Sequence, residues 1–392
     1  MDAGSSTAAD PGALGRATLP GKPLDGRPRP RVAIAMPGGF EFGGIGRMML
    51  YATRAWAEQA DAPTWWLVDA RGNGSLLWSP FKLAGACIGL VRRRPDILHL
   101  NVADKGSTLR KLVLSLVAAG LRIPTIVHLH YGAYGEHFAR WPAFLQSAIR
   151  GMFRRARLVL VLGRNDARVV EHVLGVPPER IRVLHNAVPD PGPPPSRVGQ
   201  TGRVQLLFMG RFDAPEKAVD VLLRALGSPE LLARDWQLVI AGRGDKQVIA
   251  DALDQPGLAG RVTFTGWLEQ AAVYALCRDA DIFVLPSYRE GQAMSLLEAM
   301  AHGLAIVTTP VGAHLEAVTD EKEALIVPPG DVAALAAALV RLIDDRDLRA
   351  TLGNAARARY CVKFHADQYA KTLGEIFCRV RGENKSFRLL KN

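Results

Sequence analysis

Residues 281–303 read DIFVLPSYREGQAMSLLEAMAHG. The run Asp281–Ser287 has the composition of a buried strand, and the apolar spacing after it predicts a helix starting near Gln292–Ser295. Between them lies a tight turn bracketed by Glu290 and Glu298, with seven residues separating the two acids. A strand that runs into a helix N-terminus offers free backbone N–H groups and the positive end of the helix dipole to an anion. A carboxylate on either side accepts hydrogen bonds from hydroxyl groups. Phosphate-binding backbone flanked by hydroxyl-binding acids is the combination that a nucleotide-sugar requires.

The same strand–helix rhythm runs through the chain. Six short β-branched runs lie between Arg31 and Leu184, and six more between Val204 and Val327, each followed by a helical pattern. Near-continuous apolar strands separated by helices imply parallel sheets covered on both faces. The fold class is α/β: two doubly wound parallel-sheet domains facing a central cleft, where open sheets bind ligands at the carboxyl ends of their strands. The expected boundaries are a disordered tail (1–30), a first domain (31–187), a proline-rich linker (188–200) and a second domain (201–360). A C-terminal helix and tail (361–392) then pack back towards the first domain. The first thirty residues are rich in Gly, Pro, Ala and Ser and lack the apolar core of a signal peptide.

The 392 residues are 48% hydrophobic and 22% charged, an ordinary globular balance. The longest apolar stretch, Leu112–Leu121, is about half of the roughly 20 residues that a spanning helix needs. Cys87, Cys277, Cys361 and Cys378 are far apart and read as buried, reduced thiols of a cytosolic protein rather than a disulfide framework or metal site. The net charge of +11 is uneven: residues 1–190 hold 25 Lys and Arg against 14 Asp and Glu, whereas residues 191–392 hold 24 of each. The clusters Arg92–Arg94 and Arg150–Arg157 predict salt-reversible attraction of the first half to an anionic membrane surface. With no aromatic-interleaved basic patch, nucleic acid is not the expected partner.

Further motifs follow other strands. In MGRFDAPEK, Arg211 offers a bidentate fork to phosphate oxygens and Lys217 a point charge. EFGGIGR places Gly43 and Gly44, and AGRGD places Gly242, where backbone must approach a phosphate or turn tightly. In VHLHYG, His128 and His130 share one strand face, with no third ligand at zinc spacing. Asp279 and Asp281 flank a helix end and a buried strand, so they read as structural and no metal site is expected. On its residues alone Glu316 in VGAHLE reads as a helix-start carboxylate stabilised by the dipole.

From about Arg31 to Tyr360 the chain resembles glycosyltransferase family 4, a retaining group of GT-B fold. The resemblance rests on Glu290-x7-Glu298 and on the Gly-Arg…Lys element ending at Lys217. It implies that Glu290 contacts the donor sugar and Glu298 the nucleotide ribose. The turn of Gln292, Ala293, Met294 and Ser295 would bond phosphate and sugar through its backbone, although many members carry Phe-Gly at 292–293. It further implies that Arg211 and Lys217 hold the diphosphate, that Gly242 lines the nucleotide pocket, and that Gly43 and Gly44 cap the phosphates on closure. Through a Gly-Gly-x-x-Glu turn, with Ala313 for the second Gly, it equally implies a donor-side role for Glu316. His130 would stand beside the reacting centre, which makes His130, Glu290, Arg211 and Lys217 the catalytic set. No cofactor is implied beyond the nucleotide-diphospho-sugar itself. The implied acceptor is a lipid-linked glycan or oligosaccharide in surface-polysaccharide assembly, at the inner face of the plasma membrane. A sugar-nucleotide epimerase and a non-catalytic sugar-nucleotide-binding protein remain the alternatives.

Overall fold

The computed structural model describes residues 28–36, 43–59, 61–70, 79–103, 105–194, 202–254 and 257–382. The tail 1–30 lies almost wholly outside them, as do residues 37–42, linker residues 195–200 and the C-terminal residues 383–392.

Twelve strands form two six-stranded parallel sheets. The first sheet contains β1 (Arg31–Met36), β2 (Thr64–Asp69), β3 (Ile97–Val102), β4 (Thr125–Leu129), β5 (Leu158–Val161) and β6 (Ile181–Val183), in the order 2-1-3-4-5-6. The second contains β7 (Val204–Met209), β8 (Trp236–Ala241), β9 (Val262–Gly266), β10 (Ile282–Leu285), β11 (Ala305–Thr308) and β12 (Leu325–Ile326), in the order 12-11-10-7-8-9. Every residue of β3, β4 and β10 is buried, because helices cover both faces and leave no polar face to accommodate. The two-domain α/β architecture read from the sequence is the one observed.

The strand order fixes where ligands meet the protein. In the second sheet the chain runs outward through β7, β8 and β9, then returns to lay β10 on the other side of β7. Helix connections after β7 and β10 therefore diverge to opposite faces and leave a crevice at the strand ends. The Arg211–Lys217 loop follows β7 and the Glu290 turn follows β10, so topology alone brings the two motifs together. An equivalent switch point lies between β1 and β3 of the first sheet.

The chain's end is tied to its beginning. The Ala366–Gly382 helix packs on the Gly43–Ala57 helix, where Trp56 Nε1 donates to the Ala370 carbonyl at 2.8 Å. Val188, where the first half ends, exchanges backbone hydrogen bonds with Phe364 and Ala366 at 3.0 Å each. Tyr360 Oη also donates to the Val188 carbonyl at 2.9 Å. Of the four cysteines only Cys277 is buried; Cys87 is half-buried, and Cys361 and Cys378 are exposed on the outer sides of their helices, contrary to the expectation of buried thiols. Strand limits differ from the sequence reading by one or two residues. β4 stops at Leu129, which leaves His130 on the lip of the sheet, and β12 shrinks to two residues ahead of Pro328 and Pro329.

Candidate active site

Glu290 sits in the turn after β10. Its Oε1 accepts from Lys217 Nζ at 2.6 Å and from Ser287 Oγ at 2.8 Å. Ser287 is fully buried at the end of the β10 segment and its own carbonyl accepts from Thr309 Oγ1 at 2.6 Å, so the turn is braced from β11. The Tyr288 N–H donates to the Glu216 carbonyl at 2.8 Å and stitches the two loops side by side. Gly312 closes the third side: a Cβ there would lie 2.3 Å from the carbonyl oxygens of both Glu290 and Gly291. Only glycine permits that approach, at a φ of +55°.

This arrangement leaves binding capacity open. The lysine ammonium has three donors and spends one on Glu290, so two remain open to an anion. Glu290 Oε2 remains open to a hydrogen-bond donor. Arg211 is exposed and directs only its Nε to Asp213 Oδ1, at 3.1 Å, which leaves the terminal N–H fork outward. That contact holds the Asp213 carboxyl below its ordinary range. The Met294–Ala301 helix begins at Ala293 with no side-chain cap, so the N–H groups of its first turn, Ser295 included, are available to an anion. Gly242 has a tighter structural reason than a ligand: its Cβ would fall 1.9 Å from the Gly210 carbonyl.

The first half approaches this turn closely. A Cβ on Gly132 would lie 2.0 Å from the Glu290 carbonyl, and one on Gly44 would lie 3.5 Å from Met294 Cγ. A Cβ on Gly43, with φ +71°, would meet nothing within 4 Å among the described residues. Gln292 is buried, and its Oε1 accepts from the Asn186 N–H at 2.6 Å while its carbonyl accepts from Asn186 Nδ2 at 3.0 Å. Its Nε2 is buried without a partner among the described residues. Glu298 is also buried, and its Oε1 lies 3.2 Å from Arg47 Nη1. Burial raises the Glu298 carboxyl and Arg47 pulls it back down. Glu298 thus joins the two halves through Arg47, a partner absent from the sequence reading. Glu316 does the same, accepting from the Arg164 N–H at 2.5 Å with His185 Nε2 at 3.7 Å. Arg47 stands four residues after Gly43, and an arginine in the first turns of that helix is the signal that would have found it.

Asp281 is structural, its Oδ2 accepting from the Gln205 N–H at 2.9 Å. Among the described residues no group of three metal-ligating side chains converges.

His130 Nε2 lies 2.8 Å from Asn101 Oδ1, while Asn101 Nδ2 points to the Ala35 carbonyl at 3.4 Å. With the amide so oriented, Nε2 carries the ring proton and Nδ1 is left as the acceptor. Behind it His128 and His99 stack in sequence, with ring centroids 3.9 Å and 5.6 Å apart. Burial pushes the rings of His99 and His130 down to about 3 and lowers His128 as well, so all three are neutral near pH 7. The unfolded chain protonates these rings below about pH 6.5 and the folded chain does not, so stability falls as pH falls through that range. Each ring contributes roughly 1.4 kcal/mol per pH unit. Asp166, whose buried carboxyl is pushed up to about 7, and Glu298 act in the opposite direction and offset part of it. Melting scans between about pH 4 and pH 7 are expected to show this decline, flattened in His99→Leu. A profile that His99→Leu leaves unchanged would contradict the buried-neutral reading.

Comparison with known proteins accords with this geometry. A family model described as "Glycosyl transferases group 1" matches residues 203–345, and "Glycosyltransferase Family 4" matches residues 42–190. A phosphatidyl-myo-inositol mannosyltransferase of Mycolicibacterium smegmatis is 37% identical over 156 residues, which is 39% of this chain and 39% of that protein. The chain therefore spans about two fifths of that relative's length. An alpha-D-kanosaminyltransferase of Streptomyces kanamyceticus is 28% identical over 338 residues, covering 79% of this chain and 84% of that protein. Among solved structures, a sucrose-phosphate synthase from Thermosynechococcus elongatus superposes with a TM-score of 0.73 at 19% identity, over 90% of this chain and 100% of that one. Anabaena HepE in complex with UDP-glucose gives 0.71 at 18% identity, over 90% and 100%. At these identities the superpositions establish the GT-B fold. With one model matching each half, and the Glu-x7-Glu turn set against Lys217 at the switch point of the second sheet, the chain belongs to the group 1 and family 4 glycosyltransferases.

Proposed function

We propose that this protein is a retaining, metal-independent glycosyltransferase that moves a sugar from a nucleotide-diphospho-sugar to an acceptor hydroxyl. The observation that carries the reading is the Lys217–Glu290 pair, 2.6 Å apart, beside the open Arg211 fork and the uncapped start of the Met294–Ala301 helix. Two cations and a helix N-terminus suit a diphosphate, and the free oxygen of Glu290 suits a hydroxyl of the sugar attached to it.

In the proposed reaction the acceptor hydroxyl attacks the anomeric carbon on the face from which the diphosphate departs. The bond from carbon to phosphate oxygen breaks, the bond to the acceptor oxygen forms, and a donor phosphate oxygen takes the acceptor's proton. Arg211 and Lys217 stabilise the negative charge that develops on the leaving diphosphate. Glu290 orients the sugar. His130, being neutral, acts as a hydrogen-bonding group rather than as a cation. Closure of the two halves brings Gly43 and Gly44 onto the phosphates and excludes water.

For the acceptor we propose a lipid-linked glycan in surface-polysaccharide or exopolysaccharide assembly, met at the cytoplasmic face of the membrane. The basic first half supports this, as does the lipid named in the mannosyltransferase relatives. No helix among the described residues is long and apolar enough to span a bilayer, so the contact would be peripheral.

Three results test the proposal. Turnover is expected to survive EDTA because Arg211 and Lys217 supply the charge a metal would bring, whereas an absolute need for a divalent ion would refute it. The product's anomeric configuration, read by proton NMR, is expected to match the donor's; inversion would exclude the attack described. Arg211→Ala is expected to cost roughly 10²-fold in turnover with an unchanged melting temperature, since its only side-chain bond among the described residues is to Asp213 on the surface. Near-normal turnover at saturating substrates would remove Arg211 from the site.

A further inference from the structure

The helices Ser79–Arg93, Lys105–Gly120 and Ala143–Arg155 lie side by side on one face of the first sheet, and the Gly43–Ala57 and Ala366–Gly382 helices cover the other. A water-facing helix layer carries polar and charged residues on its outer side. On this layer large apolar side chains share the outer side with basic ones. Ile88, Val91, Leu109, Val113, Leu116 and Phe144 stand on its outer side, with Ile88, Leu116 and Phe144 exposed to 51%, 53% and 71%. Leu109, Val113 and Leu116 follow four- and three-residue spacing and so form one stripe, as do Ile88 and Val91 on the neighbouring helix. Of the thirteen large apolar side chains exposed among the described residues, seven belong to these three helices. An apolar cluster of this density marks an interaction surface.

The charge on the same layer is equally one-sided. The three helices contain nine Lys or Arg and no Asp or Glu. Arg92 and Arg93 end the first helix, and Arg154 and Arg155 end the third, so four of the nine form an exposed basic edge, whereas Lys111 is buried. That edge is where the strands begin, since the Arg93 carbonyl accepts from the guanidinium of Arg31 at the start of β1. Leu109 and Phe144 stand near the opposite, cleft-side ends of their helices.

Charge decides what covers this face. A second copy docking by two-fold symmetry would oppose like-charged layers with no acid on either to relieve them. A bilayer with anionic headgroups matches both features, accepting apolar side chains at the acyl boundary and the basic edge at the phosphates. We infer that the layer formed by these three helices is a docking face that inserts its apolar stripes into the headgroup–acyl boundary of an anionic membrane. The inference rests on the proposed function for the nature of the acceptor, and it names the surface that carries the cleft to it. It also changes the salt dependence expected from the arginine clusters alone. Salt screens the basic edge but leaves apolar insertion in place.

Co-sedimentation of the full chain with phosphatidylglycerol–phosphatidylcholine vesicles or phosphatidylcholine vesicles, at low and at high salt, tests the face. The expected result is preference for the anionic vesicles, with binding that weakens in high salt without vanishing. Ile88→Asp/Leu116→Asp, at two exposed positions, is expected to lower vesicle affinity by more than about tenfold at high salt. Val362→Asp, exposed in the second half, is expected to bind as the wild type does. Complete release of the wild type by salt, equal binding to both vesicle types, or wild-type binding by the double variant would each overturn the proposal. So would a dimer in vesicle-free solution that the double variant abolishes, which would assign the face to a second copy. A nucleotide-sugar thermal shift on the same samples separates the two readings. Donor stabilisation without vesicle binding would sink the docking face alone, and vesicle binding without donor stabilisation would sink the enzyme reading alone.

Discussion

Glu290→Gln is expected to lower kcat by roughly 10²–10³-fold, the cost of removing one oriented charged group from a site that stabilises developing charge. The amide keeps the shape of the carboxylate but not its charge. Glu290 Oε1 takes bonds from both Lys217 and Ser287, and a neutral amide would hold Lys217 less firmly against the phosphates. The same substitution weakens the hydroxyl contact proposed for Oε2. Lys217→Met should produce a loss of similar size, and the double variant should be little worse than either single one, because the two residues act as a unit. Steady-state kinetics at saturating donor and acceptor, with melting curves to confirm an intact fold, supply the numbers. Full additivity of the two losses would mean that the pair is not a functional unit.

The second large effect is structural. Arg47→Met is expected to destabilise the protein by about 3 kcal/mol, because it strands Glu298 as a buried charge, and Arg47's partial exposure places the loss at the low end of the usual range. Glu298 is almost wholly buried, and its other contact is Tyr51 Oη at 3.5 Å, too long to replace a guanidinium. The buried carboxyl is already raised, so at low pH it would take up a proton and part of the loss would disappear. Adding Glu298→Gln to Arg47→Met removes the stranded charge and is expected to recover most of the stability. Denaturant midpoints for the four members of this cycle test the idea. If the double variant showed the sum of the two single losses, the pair would carry no coupling and Glu298 would be buried for another reason.

Much of this architecture is legible in the sequence because it is local. Each strand is a short apolar run that must be covered on both faces, and each helix between strands has a stripe that covers it. The switch point is legible for the same reason, since the motifs follow their strands directly. The pairings between the halves are not. Arg47 with Glu298, Asn186 with Gln292 and Arg164 with Glu316 join residues 251, 106 and 152 positions apart, and nothing local marks one as the partner of the other. They arise only where the two sheet domains meet. The acid-free helix layer was hidden differently. By composition Leu112–Leu121 is an apolar stretch too short to span a membrane, and only the packed structure reveals that Leu116 is exposed while Leu112 and Leu114 are buried.

The central claim is that the turn after β10 and the loop after β7 form one nucleotide-sugar site. Its most direct test is a thermal-shift titration of the wild type, Lys217→Met and Arg211→Ala with a panel of UDP-, GDP- and ADP-sugars. The account predicts that at least one nucleotide-sugar raises the wild-type melting temperature in a saturable manner, since a ligand that binds only the folded state stabilises it. It also predicts that either substitution shifts the titration to roughly tenfold or more higher ligand concentration, the loss expected when a charged hydrogen bond to phosphate is removed. If no nucleotide-sugar raised the melting temperature, or both variants titrated as the wild type does, the site would not be the one described.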